Sequence, residues 1–292
     1  MNKFSIVLGC LLLSVSHVAQ ACQATPAEKK RQEAIKAEDI SQKLVLYKKS
    51  IELCSTSPLS YAEYGYLLST QGRLNEAELA LRQSENLISN LNQGMEQQYL
   101  FEKYIWQQLV DIAIQKNDRI QSYLYLEKLK AREKQNKIEF DESYFSSQQA
   151  FDELMNIKPM TAPEFRSIMS FKAAGIDEGV SIDYNINFDF NDAKLTQEGE
   201  QLLSQIANTI KELDSYATKI KIIGHTDIVG DEQYNKTLSI KRASTVKSAL
   251  SKMLPKLAKR LIVEGKGKDQ PKYPSTHPDA DRLNRRVQFE IL

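Results

Sequence analysis

Between Val180 and Phe190 every second residue is apolar: Val180, Ile182, Tyr184, Ile186, Phe188 and Phe190 alternate with polar neighbours. A period of two suits a strand with one buried face and is incompatible with a helix, which repeats every 3.6 residues. Nothing upstream carries that pattern. From Gln23 to Ile138 the chain is rich in Leu, Tyr, Glu, Lys and Gln and nearly free of Gly and Pro, so it reads as helix throughout. The expected fold class is therefore α+β multidomain, with an all-helical domain at 22–138 and a mixed domain at 180–292. Between them, 139–179 contains Lys158-Pro159 and Ala162-Pro163, which break the periodicity and predict an extended or partly strand-like linker.

Within the mixed domain, Asn191 to Lys194 end the first strand. Thr196, followed by Glu198, opens a helix whose apolar stripe is Leu202, Leu203, Ile206, Ile210 and Leu213. Lys219 to Ile223 form a second strand, about Tyr234 to Met253 a second helix, and Leu261 to Glu264 and Arg286 to Ile291 two more strands. The order βαβαββ predicts an α/β sandwich with right-handed crossovers between its first strands. Asp227 then falls in the loop after the second strand, beside Gly230. On the following helix Asn235, Leu238 and Arg242 lie three and seven apart, so they share one face, which is expected to look back at the Asp227 loop. One anion and one cation at fixed spacing suit a ligand that carries both an ammonium and a carboxylate.

Gly224-His225-Thr226-Asp227, Gly230, Tyr234-Asn235, Leu238-Ser239, Arg242-Ala243 and, far downstream, Asn284-Arg285-Arg286-Val287 resemble the signature of the OmpA-like C-terminal domain, the peptidoglycan-binding module of Gram-negative envelope proteins. The resemblance covers roughly Val180 to Leu292. It implies non-covalent recognition of the diaminopimelate of the stem peptide, with the family's Asp and Arg positions falling on Asp227 and Arg242. Thr226, Asn235, Phe190 and Asn191 join them as candidate ligand contacts, with Leu238 and Arg286 supporting from behind. Two positions depart from the family pattern: Asn191 stands where relatives often carry Asp, and Asp281-Arg282-Leu283 where they often have a Gly-containing run.

Other chemistries find less support. Three histidines and no HxxxH or CxxC spacing leave too few ligands for a zinc site, so no metal or other cofactor is expected. Arg285 and Arg286 read as a solvated pair with one structural ion pair, and a net charge of +1 offers no field for nucleic acid. No paired-carboxylate cleft or GxSxG elbow marks an enzyme. The competing readings are an assembly scaffold without a ligand and, further off, a cell-wall-processing enzyme.

Met1-Asn2-Lys3, the apolar run Phe4 to Val15 and Ala19-Gln20-Ala21 fit a secretory signal peptide over 1–21. Export places the mature chain in the oxidising periplasm, associated with the cell wall. Cleavage after Ala21 leaves Cys22 and Cys54. They form either a disulfide, the reading favoured by Gln20, or a lipidated Cys22 that anchors an outer-membrane lipoprotein. Membrane attachment follows only in the second case. In the helical domain, Tyr64-Gly65, Leu68, Gly72, Ala77, Leu81 and Ser84 resemble one tetratricopeptide repeat. Leu44, Tyr47, Ser50 and Leu53 suggest a preceding unit, and Leu109, Val110, Ala113, Asn117, Ser122, Leu126 and Leu129 a following one. Such repeats serve either an unidentified envelope protein partner or as a spacer. Tyr99, Phe101, Tyr104, Trp106, Tyr123 and Tyr125 form an aromatic stripe, read as core or as a partner groove.

Overall fold

Thr25, Asp39 and Ser57 each turn a side-chain oxygen onto the backbone N–H three residues ahead, and a helix begins at the next residue in every case. A computed structural model describes residues 22, 25–89, 95–136, 140–173, 180–189, 191–212 and 219–292, which fall into two compact units, 1–139 and 140–292. The signal segment 1–21, Phe190 and Leu213 lie outside the described residues.

Six helices make up the described part of the first unit: α1 Pro26–Lys36, α2 Ile40–Leu53, α3 Pro58–Thr70, α4 Leu74–Ser89, α5 Met95–Gln115 and α6 Arg119–Asn136. The hairpin α3–α4 closes on small residues. A Cβ on Gly65 would stand 2.8 Å from Leu81 Cγ, so glycine lets the two helices meet. Gly72 turns the chain with φ +71°, and Leu68, Ala77, Leu81 and Ser84 are completely buried behind it. The α5–α6 hairpin repeats this arrangement. Asn117 turns with φ 58°, and Leu109, Ala113, Ser122, Leu126 and Leu129 pack beneath. Tyr99, Phe101, Tyr123 and Tyr125 are core, while half-buried Trp106 donates its indole N–H to Glu85 Oε1 at 2.8 Å. A disulfide joins Cys22 to Cys54 with Cα atoms 6.2 Å apart, tying the segment before α1 to the residue that ends α2.

The second unit corrects the expectation of an extended linker, because 142–157 and 162–173 are helical: α7 Glu142–Ile157 and α8 Ala162–Ala173. The prolines act as punctuation between helices. Asp141 caps α7 by accepting from the Tyr144 N–H, Pro159 follows its last residues, and Pro163 sits in the first turn of α8, where a missing N–H costs nothing. After them come β1 Val180–Tyr184, α9 Gln197–Glu212, β2 Ile220–His225, α10 Glu232–Met253, β3 Leu261–Gly267, the short α11 Ala280–Asn284 and β4 Val287–Ile291.

The strands form one sheet in the order β1-β4-β2-β3, with β4 antiparallel to both neighbours and β2 parallel to β3. Ile182, Tyr184, Phe289, Ile222 and Ile220 pack with Leu203, Ile206 and Ile210 of α9 and Ala243, Val246 and Leu250 of α10 in the buried core. The first strand is shorter than its alternation suggests. Pairing with β4 stops at Tyr184, and the next amide, Asn185 N–H, donates to Asn156 Oδ1 of α7 at 2.6 Å. Alternation survives in burial, since Ile186 is still covered, and Phe188 makes an isolated bridge to Leu195.

Candidate ligand-binding site

The glycine that opens the Gly224-His225-Thr226-Asp227 run serves helix packing. A Cβ there would lie 2.2 Å from the Ser239 carbonyl oxygen, so α10 rests directly on β2 at this point. Ser239 Oγ accepts from the Gly267 N–H at 2.9 Å, which holds the same helix to β3. Arg242 projects from α10 three residues later, and the loop after β2 carries Asp227 opposite it. Both border a cleft of about 790 Å³.

Arg242 is 8% exposed, and its Nε–H donates to the Asp192 carbonyl at 3.0 Å. Its guanidinium lies over the Phe188 ring, 5.1 Å from the centroid. The two terminal nitrogens have no hydrogen-bond partner among the described residues. Burial, followed by the neighbouring Arg285 charge, holds the Arg242 pKa below its ordinary value, with Asp227 acting in the opposite sense. Asp227 Oδ1 accepts from the Val229 N–H at 3.2 Å, and Oδ2 accepts from Arg285 Nη1 at 2.8 Å. Two guanidinium groups, those of Arg242 and Arg285, therefore neighbour the Asp227 carboxylate in a cleft also lined by Asp189, Glu198, Arg282 and Arg286.

The remaining candidates divide by role. Thr226 is buried, its N–H donates to the Gly267 carbonyl, and it fixes the start of the Asp227 loop. Asn235 donates its amide to the Val229 carbonyl at 2.8 Å, so that donor is engaged in pinning the loop to α10. Leu238 lines the cleft half-buried. Asn191 adopts φ 56°, a conformation asparagine tolerates better than most residues, and its Oδ1 accepts from Tyr234 O–H at 2.5 Å. Arg286 is directed into the protein, donating to the Gln270 carbonyl at 3.2 Å with Nε 3.5 Å from Asp183. Lys272 bridges Asp183 and Asp152 at 2.8 Å each. Burial opposes ionisation of Asp183, yet Lys272 and Arg286 together hold its carboxyl well below the usual carboxylate range.

Arg285 and Tyr234 reach the cleft although neither stood among the expected contacts. Arg285 does not lie on a strand: it follows α11 and precedes β4, which turns its side chain toward Asp227. The adjacent arginines were the available signal; both border the cleft, and only the chain path decides that Arg285 meets Asp227 while Arg286 turns to the Gln270 carbonyl and Asp183. His225 is buried with Nε2 3.1 Å from Gln288 Oε1, and burial, then Arg286, pushes its pKa down to about 4. No group of three or more metal-ligating side chains occurs among the described residues, and no described helix is long and apolar enough to cross a membrane.

Comparison with known proteins agrees with this architecture. Residues 187–285 match the OmpA family, and residues 46–79 match the tetratricopeptide repeat. The chain thus carries an OmpA domain preceded by a helical repeat region. It is similar to outer membrane protein A of Bordetella avium, 40% identical over 106 residues that cover 36% of this chain and 53% of that protein. A second relative is the photosystem I P700 chlorophyll a apoprotein A2 of Gloeobacter violaceus, 33% identical over 141 residues, or 45% of this chain and 16% of that one. The chain spans about half of the first relative and a small part of the second. Among solved structures, the peptidoglycan-associated lipoprotein of Burkholderia pseudomallei is 28% identical, with 37% of this chain and 86% of that one covered at a TM-score of 0.30.

Proposed function

We propose that the cleft binds the diaminopimelate of the peptidoglycan stem peptide, and that the protein is a non-catalytic periplasmic component anchoring its helical repeats to the cell wall. The observation that carries this reading is the placement on one cleft of the Asp227 carboxylate and a nearly buried Arg242 whose terminal nitrogens have no described partner. A planar fork of N–H donors matches a carboxylate in two places, and a carboxylate opposite it suits an ammonium. The OmpA family match over the same residues supports that ligand. The helical repeats then present an envelope protein with a surface held at the wall.

The test is co-sedimentation of the full chain with diaminopimelate-type sacculi. Removing one partner of a desolvated charged contact costs about 2–5 kcal/mol, so Asp227→Ala and Arg242→Ala should each abolish sedimentation while leaving circular dichroism unchanged. Arg242→Lys should also bind poorly, because an ammonium lacks the fork. Folded variants that sediment like wild type would refute the assignment, and release of soluble fragments would favour the enzyme reading. One observation favours the ligand-free scaffold instead: Asp227 already has Arg285 as a partner. Absence of any saturable sedimentation by the wild-type chain would decide for it.

A further inference from the structure

The loop that presents Arg285 is held by residues that precede the OmpA match, Asn185 just before it and α7 further upstream. Asn185 points its side-chain amide at three carbonyl oxygens at the end of α11, those of Arg282, Leu283 and Arg285, at 3.3, 3.2 and 3.0 Å. Asn185 is in turn held by Asn156 of α7 through a reciprocal pair. The Asn185 N–H donates to Asn156 Oδ1 at 2.6 Å, and Asn156 Nδ2 donates to Asn185 Oδ1 at 3.2 Å. Asn156 Nδ2 also donates to the Asp152 carbonyl at 2.6 Å, which fixes its own orientation on the helix.

A second set of contacts from the same helix grips the other end of the loop. Asp152 accepts from Lys272 Nζ and from Tyr273 O–H, both at 2.8 Å. Asn284 Oδ1 accepts from the N–H groups of Lys272 and Tyr273, and Asn284 Nδ2 donates to the Tyr273 carbonyl, closing the base of the 272–284 segment. Two amino acids of α7, one turn apart, thus hold both ends of the segment that delivers Arg285 to Asp227, Asp152 directly and Asn156 through Asn185. The cleft side chains are connected to α7 through an unbroken series of hydrogen bonds, from Asn156 through Asn185 and the Arg285 backbone to Asp227.

We infer that α7 is a working part of the binding module, and that Asn156 is a positioning residue that sets the affinity of the cleft through Arg285. This rests on the peptidoglycan reading above. Neither Asn156 nor Asn185 touches the cleft carboxylate. They fix the backbone from which the Arg285 guanidinium reaches it, and a small shift of that backbone changes how Asp227 and Arg242 are shared with a ligand.

A double-mutant cycle on the full chain tests this, with saturable sedimentation on diaminopimelate-type sacculi as the probe. Loss of a net hydrogen bond at the clamp should weaken binding about three- to tenfold in Asn156→Ala. In an Arg285→Ala background the same substitution should change binding by less than about twofold, because the residue it positions is gone. Thermal stability is read in parallel, and there the cost of Asn156→Ala should be equal in both backgrounds. Should Asn156→Ala fold poorly, Asn156→Asp keeps the acceptor for the Asn185 N–H, loses the donor, and should show the same dependence on Arg285. An equal loss of binding with and without Arg285 would overturn the inference, as would unchanged binding in Asn156→Ala while wild type binds. Failure of the wild-type chain itself to sediment would overturn the peptidoglycan reading together with this one.

Discussion

His225, beside Thr226 and Asp227 on β2, shows how one residue can make the whole unit sensitive to pH. Its imidazole faces Gln288, Arg286, Asp183 and Lys266, and burial followed by Arg286 lowers its pKa from 6.5 to about 4. The folded unit therefore keeps it neutral where the unfolded chain would protonate it. Stability is fully present above about pH 6.5 and is lost as pH falls toward 4, by about 2.5 kcal/mol at pH 4.5. Denaturant unfolding at pH 7 and 4.5 should show this fall, and His225→Gln should shrink the part of it lying between those values. An unchanged slope in the variant would show that other groups carry the dependence.

At the scale of elements, the site depends on how closely α10 approaches the sheet. Gly224 and Gly265 let the helix sit against β2 and β3, with Ser239 of α10 meeting both strands. Gly224→Ala would place a methyl 2.2 Å from the Ser239 carbonyl, a backbone atom that cannot rotate aside. The helix must move, at a cost of about 3 kcal/mol. Because Arg242 is less than one turn beyond Ser239, the same variant should also lose sacculus binding. Chemical denaturation with m-value unchanged, alongside co-sedimentation, measures both effects. In the helical unit a comparable constraint is ionic: Arg31, 1% exposed, donates to Glu63 Oε1 at 2.6 Å and to Glu28 at 2.8 Å, joining α1 to α3.

For the whole molecule, the Cys22–Cys54 disulfide bears on the proposed anchoring of the chain to the cell wall. A cysteine sulfur engaged in a disulfide carries no thioether lipid, so on the proposed reading the bridged form depends on its cleft for attachment to the wall. Closing a loop of about 30 residues stabilises by roughly 3.5 kcal/mol. Cys54→Ser should therefore lower the melting temperature of the helical unit while leaving sacculus binding by the second unit near wild type. Intact mass of the native protein should lie two hydrogens below the reduced value. A diacylglycerol adduct on Cys22 would overturn the bridge.

Local pattern was enough to read most elements in the sequence. Thr196 and Glu198 marked the start of α9, where Thr196 Oγ1 accepts from the Gly199 N–H at 3.1 Å, and Gly72 marked the turn of the α3–α4 hairpin. Asp227 and Arg242 were legible because strand end, glycine turn and helical spacing are short-range features. The two prolines near 160 misled, since a proline in a first helical turn and one in an extended linker look alike without the contacts that follow. Arg285 and Arg286 differ only in the direction the chain takes between α11 and β4. Asn185 sits in a polar position of an alternating strand, and nothing nearby indicates that it holds a loop about a hundred residues away. The sequence by itself determined most of the helices and strands and the candidate residues Asp227 and Arg242. Tertiary structure decided which arginine meets Asp227 and which helix supports it, because those contacts join residues distant in sequence, where no periodicity reaches.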